Sequence, residues 1–82
     1  MSNEYSVCEF FADDTHAYAS RFVSMQQAVE QAMQLTRNVG ARIGATTRII
    51  VTDGGDDTVL EWQYGKGITW PTAEDLARMG FT

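Results

Sequence analysis

One amphipathic helix pattern, set between two pairs of strand-like segments, most constrains how this chain folds. Apolar residues recur at helical spacing over Met25–Asn38, and polar residues fill the opposite side. Ser24 and Gln27, three residues apart, form a capping-box pattern at the start. The pattern predicts a single main helix over this range that ends at Asn38–Gly40, where Asn or Gly can take the left-handed conformation.

Segments rich in aromatic and β-branched residues, which are typical of strands, lie on both sides of the helix. They cover Tyr5–Ala12, His16–Val23, Thr47–Thr52 and Thr58–Tyr64. Short stretches of turn-forming residues separate the two members of each pair. The order β-β-α-β-β predicts an α+β fold, in which one helix packs on one face of an antiparallel sheet.

The C-terminal part of the chain has a weaker pattern. Ile68–Pro71 is expected to be extended, and Thr72 to cap a short helix or tail over Ala73–Met79. A length of 82 residues supports one hydrophobic core. We therefore expect a single domain over 1–82, with a core over 4–65 and a C-terminal extension over 66–82.

Alternation along the strands predicts apolar residues on both faces of the sheet. The face against the helix is expected to contain Cys8, Phe10, Phe22, Ile49, Val51, Leu60 and Trp62. The other face is then expected to contain Val7, Phe11, Val23, Ile50 and Val59. Because a monomer seldom exposes such a patch, the pattern predicts that the tail with Trp70, or a second copy, covers it. Val7, Phe11, Ile50 and Val59 are thus candidate residues for self-association into a homodimer.

Composition disfavours several classes of protein. The chain has a net charge of −5, which argues against general binding to nucleic acid or anionic membranes. It contains one cysteine, no signal-peptide pattern and no apolar run long enough to span a membrane. We therefore expect a cytoplasmic location, with no membrane partner.

Three arginines suggest an alternative function for the chain. Arg37, Arg42 and Arg48 fall in Gln31–Thr52, which contains no acidic residue. They are candidate contacts for an anion or a nucleic acid. The competing interpretation is that they are solvated charges or partners of the acidic turns.

Catalytic and metal-binding patterns are weak. Cys8 and His16 form a conceivable nucleophile pair on neighbouring strands, although no third group that would orient them is visible. Asp53, Asp56 and Asp57 form an acidic loop with two glycines, which is also the composition of an ordinary turn. We expect no catalytic residue, metal or cofactor.

The runs Tyr5–Phe11, Gly40–Gly44 and Val51–Asp56, in this β-β-α-β-β order, resemble small bacterial domains of unknown function. The resemblance covers about residues 5 to 64 and implies the fold, without implying an activity or site residues. The sequence favours a small non-catalytic interaction or accessory domain that self-associates through its sheet. Binding of nucleic acid or an anion is the alternative, and an enzyme has the least support.

Overall fold

The chain forms one antiparallel sheet with a helix packed across it. The computed structural model describes residues 3–55 and 57–71, together with Glu74 and Arg78. The elements are β1 (Tyr5–Phe11), β2 (His16–Val23), α1 (Met25–Leu35), α2 (Val39–Ile43), β3 (Thr46–Thr52), β4 (Thr58–Gln63) and β5 (Gly67–Trp70). The strand order is β2-β1-β3-β4-β5, and each neighbouring pair is antiparallel. The α+β prediction, with one main helix on an antiparallel sheet, is confirmed. No helix in the described part of the chain is long and apolar enough to cross a membrane.

The core lies between α1 and one face of the sheet. The helix contributes Ala28, Val29, Ala32 and Leu35. The sheet contributes Val7, Ile49, Val51 and Leu60. Fully burying a Val, Leu or Ile side chain stabilises a fold by about 1.5–3 kcal/mol, so these contacts dominate the stability of a domain of this size.

The start of α1 is fixed by the capping box that the sequence predicts. The amide of Gln27 donates to Ser24 Oγ at 3.2 Å, and the amide of Ser24 donates to Gln27 Oε1 at 3.0 Å. Each bond satisfies an amide that has no partner within the helix.

The end of α1 differs from the expectation. The helix stops at Leu35, and its C-cap Thr36 donates its hydroxyl to the carbonyl of Met33 at 2.6 Å. Asn38 is extended and starts α2, which ends at Gly44 with φ of 87°. The segment expected as a loop therefore contains a five-residue helix, because Gly44 rather than Gly40 takes the left-handed conformation.

The C-terminal element that the structure describes is a fifth strand and not a helix. β5 pairs with β4 through Trp62 and Ile68, and through Glu61 and Trp70. It extends the sheet beyond the four strands that were expected. The short helix expected over Ala73–Met79 lies outside the described residues, apart from Glu74 and Arg78.

The side chains of β1 point to the opposite faces of the sheet from those expected. Val7 is 0% exposed in the core, whereas Cys8 lies on the opposite face. Both alternating sets of residues on β1 contain apolar side chains, so the pattern alone did not decide between them. The expectation placed Cys8 and Phe10 against the helix, and hence Glu9 on the other face. Glu9 instead lies on the helix side, where its carboxylate accepts a hydrogen bond from the Thr46 hydroxyl at 2.6 Å. A half-buried carboxylate is tolerated when it is hydrogen-bonded in this way.

The side chains at the end of β2 are also exchanged between the two faces relative to the expectation. Two register shifts between β1 and β2 insert extra residues into β2. Phe22 adopts a positive φ of 58°, and its side chain is 68% exposed. Val23 consequently packs against the core in the place expected for Phe22.

The core assignment predicts opposite effects for neighbouring residues of α1. Leu35→Asp should unfold the domain, because it places a charge in the core of a protein whose stability is about 5–15 kcal/mol. Gln34→Asp, at an exposed position, should cost about 1 kcal/mol or less. Urea unfolding followed by circular dichroism measures both, and equal losses would contradict the assignment.

Candidate functional site

The sheet face opposite α1, here called the helix-free face, contains the most unusual surface of the molecule. Residues paired across all five strands form a central row on this face: Tyr18, Cys8, Ile50, Glu61 and Trp70. A second row runs beside it: His16, Phe10, Arg48, Gln63 and Gly67. The helix α1 and the core that it forms lie on the other side of the sheet.

At the β2 end of the face, an arginine lies between two rings. The guanidinium carbon of Arg21 is 4.6 Å from the centre of the Tyr18 ring and 5.1 Å from that of Phe22. These distances are within the range of cation–π attraction. Both rings remain largely exposed, at 51% for Tyr18 and 68% for Phe22.

The stacking continues towards the centre of the sheet. The His16 ring lies 6.5 Å from Tyr18, edge to face, and 5.5 Å from Phe10. The guanidinium carbon of Arg48 is 5.3 Å from the centre of the Phe10 ring. Six side chains therefore form one stacked series across β2, β1 and β3: Phe22, Arg21, Tyr18, His16, Phe10 and Arg48.

An ion pair joins the stacked series to β4 and β5. Arg48 Nε lies 2.5 Å from Glu61 Oε2, and the Thr69 hydroxyl donates to Glu61 Oε1 at 2.7 Å. The hydrogen bond from Thr69, followed by the charge of Arg48, lowers the pKa of the Glu61 carboxyl below its ordinary value of 4.5. Glu61 is therefore held ionised on this face, and its orientation is fixed from both sides.

Cys8 lies beneath this surface. It is buried on the side of the sheet opposite α1, and burial raises the pKa of its thiol. A raised pKa keeps the sulfur protonated and poorly nucleophilic. His16 lies on the same face as Cys8, and its ring contacts Phe10 and Tyr18.

The four candidate residues for self-association do not share one face. Ile50 lies in the central row of the helix-free face. Val7 is in the core, so its expected outward position is wrong. Val59 is half-buried against the core. Phe11 lies beyond a register shift and lines a shallow depression with Ala45 at the turn that follows β1.

The three candidate arginines are also not brought together as one site. Arg48 is on the helix-free face, stacked on Phe10. Arg37 follows the C-cap of α1 and lines a depression along that helix with Met33. Arg42 is exposed in the last turn of α2.

The acidic turns use their carboxylates for local hydrogen bonds. Asp53 Oδ1 accepts from the amides of Gly55 at 2.9 Å and Asp57 at 3.1 Å. Asp13 accepts from both the amide and the hydroxyl of Thr15, which lowers the pKa of Asp13. Asp56 lies outside the described residues. Across 3–55 and 57–71, with Glu74 and Arg78, no cluster of three or more His, Cys, Asp or Glu residues is placed to hold a metal ion.

The part that the β2 residues play in the stacked series was not predicted from the sequence. His16 and Tyr18 alternate on this strand, and this spacing was the available signal. Arg21 and Trp70 gave no such signal, because the bulges of β2 and the pairing of β5 determine their positions.

Comparisons with known proteins provide no further assignment. No protein-family model, curated protein or solved structure matches this chain. The resemblance to small bacterial domains stays a prediction.

The contacts of Glu61 predict a pH-dependent contribution to stability. A carboxyl whose pKa is lowered on folding stabilises the fold above its unfolded pKa, and this contribution is lost as pH falls through the folded pKa. Glu61→Gln should therefore cost about 1 kcal/mol near pH 7 and progressively less in acid. Urea unfolding at several pH values measures the difference.

Glu30→Gln provides the matched control, because it removes an exposed carboxylate of α1 that lies far from Arg48 and Thr69. The same pH profile in both variants would contradict the role of Glu61.

Proposed function

We propose that this chain is a non-catalytic interaction domain that self-associates through its helix-free face. The observation that carries the proposal is the stacked series, which spreads aromatic and arginine side chains over a sheet face that α1 leaves uncovered. Tyr18, Phe22 and Trp70 are each more than half exposed on or beside it.

This face is rich in the residue types that contribute most to the binding energy at the centres of protein–protein interfaces. Tyr, Trp and Arg are the residues whose truncation most often weakens protein–protein binding. Stacking on neighbouring rings already restricts the rotamers of Arg21 and Arg48, so less side-chain entropy is lost when a partner binds.

The contacts of the same residues favour binding over chemistry. Glu61 is engaged by Arg48 and Thr69, and the thiol of Cys8 is buried with a raised pKa. A catalytic acid, base or nucleophile needs a free reactive atom in reach of a substrate. The engaged carboxylate of Glu61 and the buried thiol of Cys8 do not provide such an atom.

The test is the mass of the protein in solution, measured by light scattering from low to high micromolar concentration. We expect a monomer–dimer equilibrium, and Tyr18→Ser or Trp70→Ser should weaken it about tenfold or more. Both side chains are about half exposed, so the variants should remain folded by circular dichroism.

Tyr64→Ser is the matched control. Tyr64 is 49% exposed but lies beside α2, where a Cβ added to Gly44 would be 3.1 Å from its ring. Its substitution should leave the equilibrium unchanged. A wild-type protein that stays monomeric at high concentration would overturn the proposal.

Single-stranded nucleic acid is the second candidate, because exposed rings and arginines on an open sheet face are also the features that stack and bind such strands. The net charge of −5 opposes it. Fluorescence anisotropy with a labelled oligothymidine tests it. Binding that weakens with salt and is lost in Arg21→Ala would favour this candidate over self-association.

A further inference from the structure

The central row of the helix-free face has an aromatic residue at each end, whereas Cys8 and Glu61, on the strands between, differ. Ile50 occupies its middle, on the third of five strands, and the ends are the aromatic residues Tyr18 and Trp70. The two rings are exposed to the same extent, 51% and 52%. A two-fold rotation about β3 exchanges these ends and leaves Ile50 in place, which is the property of a self-complementary surface.

We propose that two copies pack with their helix-free faces together and with the two-fold axis along β3, so that Tyr18 of each copy lies against Trp70 of the other. The inference rests on the proposed function and adds the orientation of the second copy. Aligned sheets pack about 10 Å apart, a separation that large side chains from both faces bridge. The smaller Cys8 and Ile50 lie between the aromatic ends and leave room for opposing side chains.

The charges of the face favour this axis. Arg21 is stacked on Tyr18 at the β2 side, while the carboxylate of Glu61 lies beside Trp70 towards β5. Rotation about β3 brings Arg21 of each copy to the side of the other that contains Trp70 and the Arg48–Glu61 ion pair, and keeps the two Arg21 side chains apart. The two Arg48 residues meet near the axis, and the pairing of each with Glu61 offsets their repulsion. An axis across the strands would instead oppose the two Glu61 carboxylates.

The margins of the sheet disfavour an edge-to-edge arrangement. β2 has two register shifts and the left-handed backbone of Phe22, and β5 is four residues long. Bulged and short strands are poor templates for an added strand. The Cα atoms extend over 35 × 26 × 18 Å, so only the broadest side of the molecule is large enough to supply the roughly 800 Å² per partner that stable interfaces bury.

Cross-linking between two variants tests the axis. Tyr18→Cys and Trp70→Cys are each made with Cys8→Ser, mixed in equal amounts and treated with a short bis-maleimide. This reagent is needed because facing sheets lie beyond the reach of a disulfide. We expect the product that joins the two different variants to dominate by intact mass spectrometry. That mixed pair also keeps one native contact between Tyr18 and Trp70.

The outcomes separate the orientation from the proposed function. Two results would overturn the axis while light scattering still detects the dimer. One is a product that joins two copies of the same variant. The other is a yield of the mixed product no higher than that of Tyr64→Cys with Tyr18→Cys. A protein that light scattering shows to be monomeric would overturn both.

Discussion

The architecture of this domain depends on one constraint: α1 covers only one of the two faces of a five-stranded sheet. The buried residues of α1 are small or medium in size, Ala28, Val29, Ala32 and Leu35, and they face Val7, Ile49 and Val51 closely. This packing supplies the core and leaves the opposite face without a covering element in the described part of the chain. The stacked series, the burial of Cys8 and the ion pair of Arg48 with Glu61 are all located there.

Much of the fold could be predicted because local signals agreed with the tertiary structure. The capping box of Ser24 and Gln27, and the alternation of Ile49, Val51 and Leu60, each gave a physical signal that packing reinforced. The signals were independent, because one concerns unpaired amides and the other concerns the pleat of a strand. Their agreement placed α1 against the correct face of β3 and β4.

The site was less predictable because it depends on choices that local sequence does not determine. β1 contains two alternating sets of apolar residues. The set that faces α1 shares its side of the strand with Glu9, whose carboxylate accepts a hydrogen bond from Thr46. The bulges of β2 then move Phe22 out and Val23 in. Each feature reverses one set of side chains, because a shift of one residue along a strand exchanges its faces. Four of the six members of the stacked series lie on β2, where such shifts act.

The bulged margin of β2 also disfavours the pairing of an added strand at this edge of the sheet. A flat outer strand with regular hydrogen-bonding groups invites open-ended growth, in which each added chain offers a new edge to the next. Here the positive φ of Phe22 and the two register shifts interrupt that row of groups. The exposed rings of the helix-free face therefore lie next to an outer strand whose backbone is a poor template for the growth of fibres.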